Sequence, residues 1–317
     1  MKILIVSGFL GAGKTTFIKE LTAHIDKSVR FAILENDYGE TNLDSQFLSQ
    51  KTGAEIWDLT EGCACCTMKQ NFITTLITIE SSLTPDLLIV EPSGVAKLGD
   101  LIGNIQKLNY DRLEILSPIV IFSPLNYFEY IKDKDYEEIY EEQIKNAGQI
   151  LFSKTKNLSD DYINDIAEKI KNISPDSKIL RQDYKNQSQE WWQNLLASNT
   201  SKNFTSHEHH HEHEHEHENL PSELTLKPEE FNSYGELVKV LYYVLFENFG
   251  KIVRAKGIVK VHGEWLRFEL ADGRFEISGC ENSAENSAAC VLIGKDIQEE
   301  LAEKFFHAKK QTHHHNH

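Results

Sequence analysis

A glycine-rich segment directly behind a short apolar run constrains this chain more than any other feature. Gly8-Phe9-Leu10-Gly11-Ala12-Gly13-Lys14-Thr15-Thr16 fits G-x-x-x-x-G-K-[ST], and it lies between the apolar run Ile3-Leu4-Ile5-Val6 and a helical pattern. Such a loop turns backbone N–H groups toward a phosphate, Lys14 reaches the β and γ phosphates, and the Thr15 hydroxyl suits Mg²⁺. A glycine-rich turn without a ligand is the alternative. The order of strand, loop and helix favours a nucleoside triphosphate site held by Gly8, Gly11, Ala12, Gly13, Lys14, Thr15 and Thr16.

The charge balance excludes two classes of partner. Lys and Arg total 33 against 49 Asp and Glu, which gives a formal net charge of −16. An acidic surface repels nucleic acid and anionic lipid, so neither is expected as a partner. No segment approaches the roughly 18 apolar residues of a membrane span. We therefore expect a cytoplasmic protein.

The first part of the chain alternates between short apolar runs and helical patterns, which predicts an α/β domain with a mostly parallel sheet. A cluster of Trp and Leu at residues 191–196 predicts a last amphipathic helix, so we expect this domain to span residues 1–198. Ligands of such a sheet bind at the carboxyl ends of its strands. The predicted strands are Ile3–Val6, Arg30–Leu34, Glu55–Leu59, Leu87–Val90, Ile115–Phe122 and Gln149–Phe152.

The rest of the chain divides into a linker, a second domain and a tail. Residues 199–228 are polar and are predicted to be a disordered linker. Residues 229–308 predict a small α+β domain with a helix over 231–249, a closing helix over 297–306 and four strands between them. Residues 309–317 are a His-rich tail, either metal-binding or the remnant of an expression tag. The four strands are Ile252–Val261, Glu264–Leu270, Phe275–Ser278 and Cys290–Ile293.

Two acidic segments follow predicted strands and should reach the same sheet edge as the glycine-rich loop. Glu91 stands where P-loop enzymes place an acidic residue beside Mg²⁺ or its water, so we assign catalytic roles to it and to Lys14. Gly94 would let a backbone N–H approach the γ-phosphate. The alternative for this segment is a helix start capped by Ser93.

The second acidic segment, residues 35–40, offers oxygen donors to metals. Asp37 is a candidate second Mg²⁺ ligand, and Glu40 is a candidate ligand of a transition metal. A solvated acidic loop is the alternative, and for Glu35 it is the interpretation that we adopt.

Three of the five cysteines are concentrated in the short run Cys63-Ala64-Cys65-Cys66. Thiolates are soft ligands that suit Zn²⁺ or Cu(I), and a site that adds a carboxylate or an imidazole suits Zn²⁺ or Co²⁺. Buried structural thiols are the alternative, because free Cys is often buried. The glycine-led turn after a strand favours a metal site formed by Cys63, Cys65, Cys66 and Glu40.

Alternating His and Glu residues occupy positions 207–218. Neutral imidazoles among carboxylates bind divalent transition metals weakly and in several registers. The composition indicates a metal reservoir, and a merely solvating linker is the alternative.

The segment expected to read the base is Ser153-Lys154-Thr155-Lys156. Guanine-specific P-loop proteins place Asn-Lys-x-Asp at this point, with the Asp accepting from guanine N–H groups. Lys154 can stack its stem over a purine. Lys156 has donors only and cannot accept those hydrogen bonds, so the sequence leaves the preference for GTP over ATP open. Asp160 and Asp161 lie close behind and are alternative acceptors.

Taken together, these motifs resemble the CobW/HypB/UreG family of P-loop GTPases, and within it the CobW-like branch. The resemblance rests on the glycine-rich loop, the segment 35–40 (E-N-x-x-G-E), the turn 62–66 (G-C-x-C-C), the segment 91–94 (E-x-[ST]-G), the His-rich linker and the run 254–259. The chain departs from the family at Lys156, and at Pro124, where an Asp is usual.

The resemblance implies a metallochaperone that uses GTP with Mg²⁺ to deliver Zn²⁺, or else Co²⁺ or Ni²⁺, to a client protein. In such a cycle, nucleotide hydrolysis changes the loop around residues 37–40 and hence the affinity for metal. Two alternatives remain open, namely a non-catalytic zinc buffer or sensor and an accessory protein for a corrinoid or nickel enzyme.

Overall fold

The computed structural model describes residues 1–35, 55–58, 67–108, 112–125, 127–197, 221–280 and 287–310. The described residues up to 197 belong to one compact unit, and those from 221 onward belong to a second.

The first unit is built on a parallel sheet with the strand order β3-β2-β4-β1-β6-β7-β8, in which β5 also pairs with β1. Every strand pairing in this sheet is parallel. The central strands are continuous apolar runs, as expected for strands covered on both faces. The strands are β1 (Lys2–Ser7), β2 (Phe31–Glu35), β3 (Glu55–Asp58), β4 (Leu87–Glu91), β5 (Glu114–Ile115), β6 (Ile119–Phe122), β7 (Gln149–Phe152) and β8 (Lys178–Leu180).

Helices connect these strands, and several begin at a side-chain cap. Asp133 accepts from the backbone N–H of Asp135, and Ser159 accepts from that of Tyr162, which stabilises two helix starts. The α/β fold class predicted from the alternating pattern is confirmed. The helices described are α1 (Lys14–His24), α2 (Thr67–Leu83), α3 (Leu98–Lys107), α4 (Tyr127–Tyr130), α5 (Lys134–Asn146), α6 (Asp160–Ile173) and α7 (Gln189–Ala197), with a 3₁₀ turn at Tyr184–Asn186.

Two details of the predicted sheet were wrong. The run Ile115–Phe122 is not one strand, because Pro118 lacks the N–H that a central strand needs, and β5 ends at Ile115 before β6 begins. Strand β8 was missed, since its three residues are too few to give a pattern.

The second unit is an antiparallel sheet with the strand order β12-β11-β10-β13-β9-β14. Two helices, α8 (Tyr234–Leu245) and α9 (Glu299–Phe305), contribute apolar side chains to its core. This arrangement confirms the α+β class of the C-terminal part. The strands are β9 (Ser222–Pro228), β10 (Lys251–Val261), β11 (Glu264–Ala271), β12 (Arg274–Gly279), β13 (Ala289–Lys295) and β14 (Ala308–Lys310).

The boundaries of the expected linker and tail need correction. The linker was expected to reach residue 228, yet residues 222–228 form β9, in which Leu224 and Leu226 alternate into the core. These two apolar positions among polar neighbours are a strand signal that the overall polarity of the segment obscured. The tail was expected from residue 309, but β14 continues to Lys310. The His/Glu tract at 207–218 lies outside the described residues.

Helix α7 completes the core of the first unit. The indole of Trp192 is fully buried, and its ring centroid lies 5.7 Å from that of Phe17 and 6.2 Å from that of Tyr184. Trp191, its neighbour along the chain, is only half-buried. The first unit therefore depends on residues well beyond its last strand.

We expect Trp192→Ala to lower the free energy of unfolding by about 3–5 kcal/mol, because it leaves a cavity among Phe17 and Tyr184. Trp191→Ala is the matched control and should cost less than half as much. Denaturant titration followed by circular dichroism measures both values. Equal losses for the two variants would show that α7 does not pack as described.

Candidate functional site

The glycine-rich loop connects β1 to α1, as its sequence predicts. Gly11 and Gly13 have φ values of 72° and 100°, which only glycine adopts readily. A side chain on Gly8 would collide with the carbonyl oxygen of Ile121 in β6. The glycines therefore allow both the left-handed turns of the loop and its close approach to the sheet.

Lys14 and Thr15 begin α1 and point at two different partners. Lys14 is only 4% exposed, and its ammonium donates to the carbonyl oxygen of Gly8 at 3.0 Å. The Thr15 hydroxyl lies 3.0 and 3.3 Å from the two carboxylate oxygens of Glu91. A hydroxyl beside a carboxylate is a pair of hard oxygen donors of the kind that Mg²⁺ takes, so these side chains fit the ion.

Glu91 and Glu35 end neighbouring strands side by side. They are paired in the parallel register of β4 and β2, and their exposed fractions are 9% and 2%. The interpretation of Glu35 as part of a solvated acidic loop was therefore wrong. Its position after an apolar run indicates a strand residue, whereas its burial follows from the pairing of β2 with β4.

The segment 92–97 connects β4 to α3 and lies against the glycine-rich loop. A side chain on Gly94 would approach the backbone nitrogen of Leu10 to 2.6 Å, so only glycine fits. Ser93 does not cap the helix that follows, because α3 begins after Lys97 and Ser93 accepts only a long hydrogen bond from Val95 N–H. The Ser93 cap considered from the sequence was thus wrong.

Two residues of α5 that sequence reasoning missed hold this segment. Gln143 donates to the carbonyl oxygens of Gly94 and Ala96, and the Glu142 carboxylate accepts from the first two N–H groups of α3. Burial raises the pKa of Glu142, although the hydrogen bonds from Gly99 and Leu98 act in the opposite direction. Nothing in the local sequence distinguishes this pair from the other polar residues of α5.

Phe9, inside the glycine-rich loop, packs among tyrosines of the same region. Its ring centroid lies 4.5 Å from that of Tyr140 and 5.3 Å from those of Tyr136 and Tyr130. Burial is the main cause that raises the pKa of Tyr136. Aromatic packing therefore fixes the loop at Phe9.

The segment expected to read the base follows β7 and is tied to the phosphate loop. The Ser153 hydroxyl donates to the carbonyl oxygen of Ala12 at 2.6 Å, a contact that the sequence did not predict. Lys154 has a φ of 55°. The Lys156 side chain is exposed, as are Asp160 and Asp161 in the first turn of α6.

Several predicted site residues lie outside the described residues, namely Asp37, Glu40, Cys63, Cys65 and Cys66. Within the described ranges there is no group of three or more His, Cys, Asp or Glu side chains that could hold a metal ion. In the same part of the chain, no helix has the length and apolarity needed to cross a membrane.

Relatives of this chain carry names that refer to zinc and GTP. It is 25% identical over 216 residues to "Zinc-regulated GTPase metalloprotein activator 1" of Dictyostelium discoideum, a match that covers 57% of this chain and 45% of that protein. It is 37% identical over 91 residues to "Zinc chaperone YeiR" of Escherichia coli, over 29% and 27% of the two chains. These matches thus span less than half the length of either relative.

A solved structure that aligns over nearly the full length of both chains is the Zn(II)-bound YjiA GTPase from E. coli. It covers 97% of this chain and 98% of its own, at 18% identity and a TM-score of 0.46.

Two family models match consecutive parts of the chain. The nucleotide-binding domain of CobW/HypB/UreG matches residues 2–181, and the cobalamin synthesis protein cobW C-terminal domain matches residues 224–309. The first match alone covers more than half of the 317 residues, and the resemblance seen in the motifs is confirmed. The chain therefore belongs to the CobW/HypB/UreG family, with a nucleotide-binding domain followed by a CobW-type C-terminal domain.

Proposed function

We propose that this chain is a metallochaperone that binds and hydrolyses GTP and delivers Zn²⁺ to a client metalloprotein. The observation that carries the proposal is the loop Gly8–Thr16, with its buried lysine and with the Thr15 hydroxyl against the Glu91 carboxylate. The names of the relatives, two zinc-related proteins of which one is a GTPase, support zinc as the cargo and GTP as the nucleotide.

Each residue of the loop has a separate task in this proposal. Backbone N–H groups of residues 8–16 and the Lys14 ammonium hold the phosphates, since a buried cation at a helix N-terminus favours an anionic ligand. When the nucleotide binds, the Lys14 ammonium donates to a phosphate oxygen in place of the Gly8 carbonyl oxygen. Thr15 and Glu91, with Asp37, would hold Mg²⁺, which supplies charge neutralisation on the phosphates when it is bound. Lys154 covers the base, and the backbone N–H of Gly94 meets the γ-phosphate.

The cargo site is proposed at Cys63, Cys65, Cys66 and Glu40. Strands β2 and β3 end together, because Glu35 and Asp58 are paired in their parallel register. The acidic segment 35–40 and the cysteine turn follow these two strand ends along the chain. The strand ends that precede both segments therefore lie at the sheet edge of Glu91, which supports a coupling of nucleotide state to metal affinity.

Replacing Cys65 and Cys66 by Ser tests the cargo site. We expect the double variant Cys65→Ser/Cys66→Ser to lose tight Zn²⁺ binding, because hydroxyls are far poorer zinc ligands than thiolates. Competition with a chromophoric zinc chelator measures the affinity. Cys280→Ser, at a free cysteine of the second unit, is the control and should bind Zn²⁺ like the parent. Retention of the tight site in the double variant would refute the assignment.

Introducing the missing carboxylate tests base recognition. We expect Lys156→Asp to increase the preference for GTP over ATP, because an Asp accepts from guanine N–H groups and Lys cannot. Hydrogen bonds to a charged group contribute about 1.5–3 kcal/mol, so the ratio of affinities should rise by about ten- to a hundredfold. Competition binding with both nucleotides measures the ratio.

The matched control for base recognition is Asp160→Asn/Asp161→Asn in the parent chain. It should leave the ratio of GTP to ATP affinity unchanged. If the parent already rejects ATP and this variant loses the discrimination, then α6 reads the base and the role given to position 156 is wrong.

A further inference from the structure

The segment 92–97 contains the glycine that the proposed function places against the γ-phosphate, and a buried amide holds it. Gln143 is 1% exposed. Its Nε2 donates to the carbonyl oxygen of Gly94 at 3.0 Å and to that of Ala96 at 3.2 Å. These two bonds fix the peptide planes on the C-terminal side of Gly94, a residue type that otherwise has the greatest backbone freedom.

A second side chain fixes the far end of the same segment. Helix α3 has no side-chain cap of its own at Lys97. Its first N–H groups, those of Leu98 and Gly99, instead donate to the two carboxylate oxygens of Glu142, each at 2.7 Å. Asn146 Nδ2 donates to Glu142 Oε1 at 2.8 Å and holds that carboxylate in place. Side chains of α5 therefore hold segment 92–97 both at Gly94 and Ala96 and at the start of α3.

The same face of α5 also contacts the glycine-rich loop. Tyr136, Tyr140 and Gln143 are spaced i, i+4 and i+7, which places them on one side of the helix. The two tyrosines pack on Phe9, and Gln143 holds Gly94. One helix face therefore touches both of the segments that are proposed to contact the phosphates.

We propose that Gln143 is a positioning residue for γ-phosphate recognition, and that α5 senses through it whether the third phosphate is present. This inference rests on the proposed nucleotide site. A nucleoside diphosphate engages the glycine-rich loop but does not reach Gly94. Gln143 therefore discriminates between the triphosphate and the diphosphate, and it does so without touching either one.

Gln143→Met tests this role, because Met has a similar length and no donor. We expect the variant to bind a non-hydrolysable GTP analogue about five- to tenfold more weakly than the parent, while its GDP affinity changes by less than twofold. The loss corresponds to one or two neutral hydrogen bonds. Gln106→Met, on the exposed side of α3, is the matched control and should leave both affinities unchanged. Fluorescent-nucleotide titration gives all the values.

Equal weakening of both nucleotides in Gln143→Met would show that Gln143 only stabilises the fold, and unchanged affinities would show that it does nothing for the site. Either result overturns the inference. Failure of the parent chain itself to bind nucleotide would instead overturn the proposed function, and it would be seen before any variant is made.

Hydrogen exchange on the parent chain provides a second test that needs no variant. The GTP analogue, compared with GDP, should slow exchange of the Leu98 and Gly99 amides and of the last turns of α5. Identical exchange of these amides with both nucleotides would contradict the inference even if Gln143→Met failed to fold.

Discussion

The parallel pairing of β1 with β4 is the constraint on which the site depends. It aligns Ile5 with Val90, so that β1, which ends at Ser7, and β4, which ends at Glu91, end at the same edge of the sheet. As a consequence, the Thr15 hydroxyl meets the Glu91 carboxylate, although the two residues are 76 positions apart. Strand β2 lies on the other side of β4 and adds Glu35 to the same edge. One sheet edge thus gathers the loop, the carboxylates and the strand ends that precede the segments proposed to bind metal.

Buried charge gives this edge its chemical character. Lys14, Glu35 and Glu91 are all buried at the carboxyl ends of strands or at the start of a helix, and desolvated charges are costly unless they have partners. The Mg²⁺ and phosphates of the proposed nucleotide carry both signs of charge, and electrostatic interactions with buried side chains are stronger than those with exposed ones. The two hydrogen bonds from Gln143 of α5 fix the neutral part of the site, namely the backbone around Gly94.

Sequence reasoning predicted those parts of the fold that have a local cause. The apolar strands, the glycine-rich loop and the two fold classes each follow from a repeated pattern or from a motif with a defined geometry. Glu35 was misjudged because its burial depends on pairing with β4, which lies far away in sequence. Gln143 and Glu142 were missed for the same reason, since their partners are backbone atoms of another segment. Strand β9 was assigned to the linker because its few apolar residues are separated by polar ones.

Metal and nucleotide are proposed to bias the same segments, and thermodynamic linkage makes this coupling measurable. Calorimetric titration of Zn²⁺ into the chain bound to a GTP analogue and into the chain bound to GDP compares the two affinities directly. We expect different Zn²⁺ affinities in the two forms, and linkage requires that Zn²⁺ change the relative affinity for the two nucleotides by the same factor. Equal Zn²⁺ affinities in the two forms would contradict the chaperone mechanism and leave a metal-binding nucleotide-binding protein without a switch.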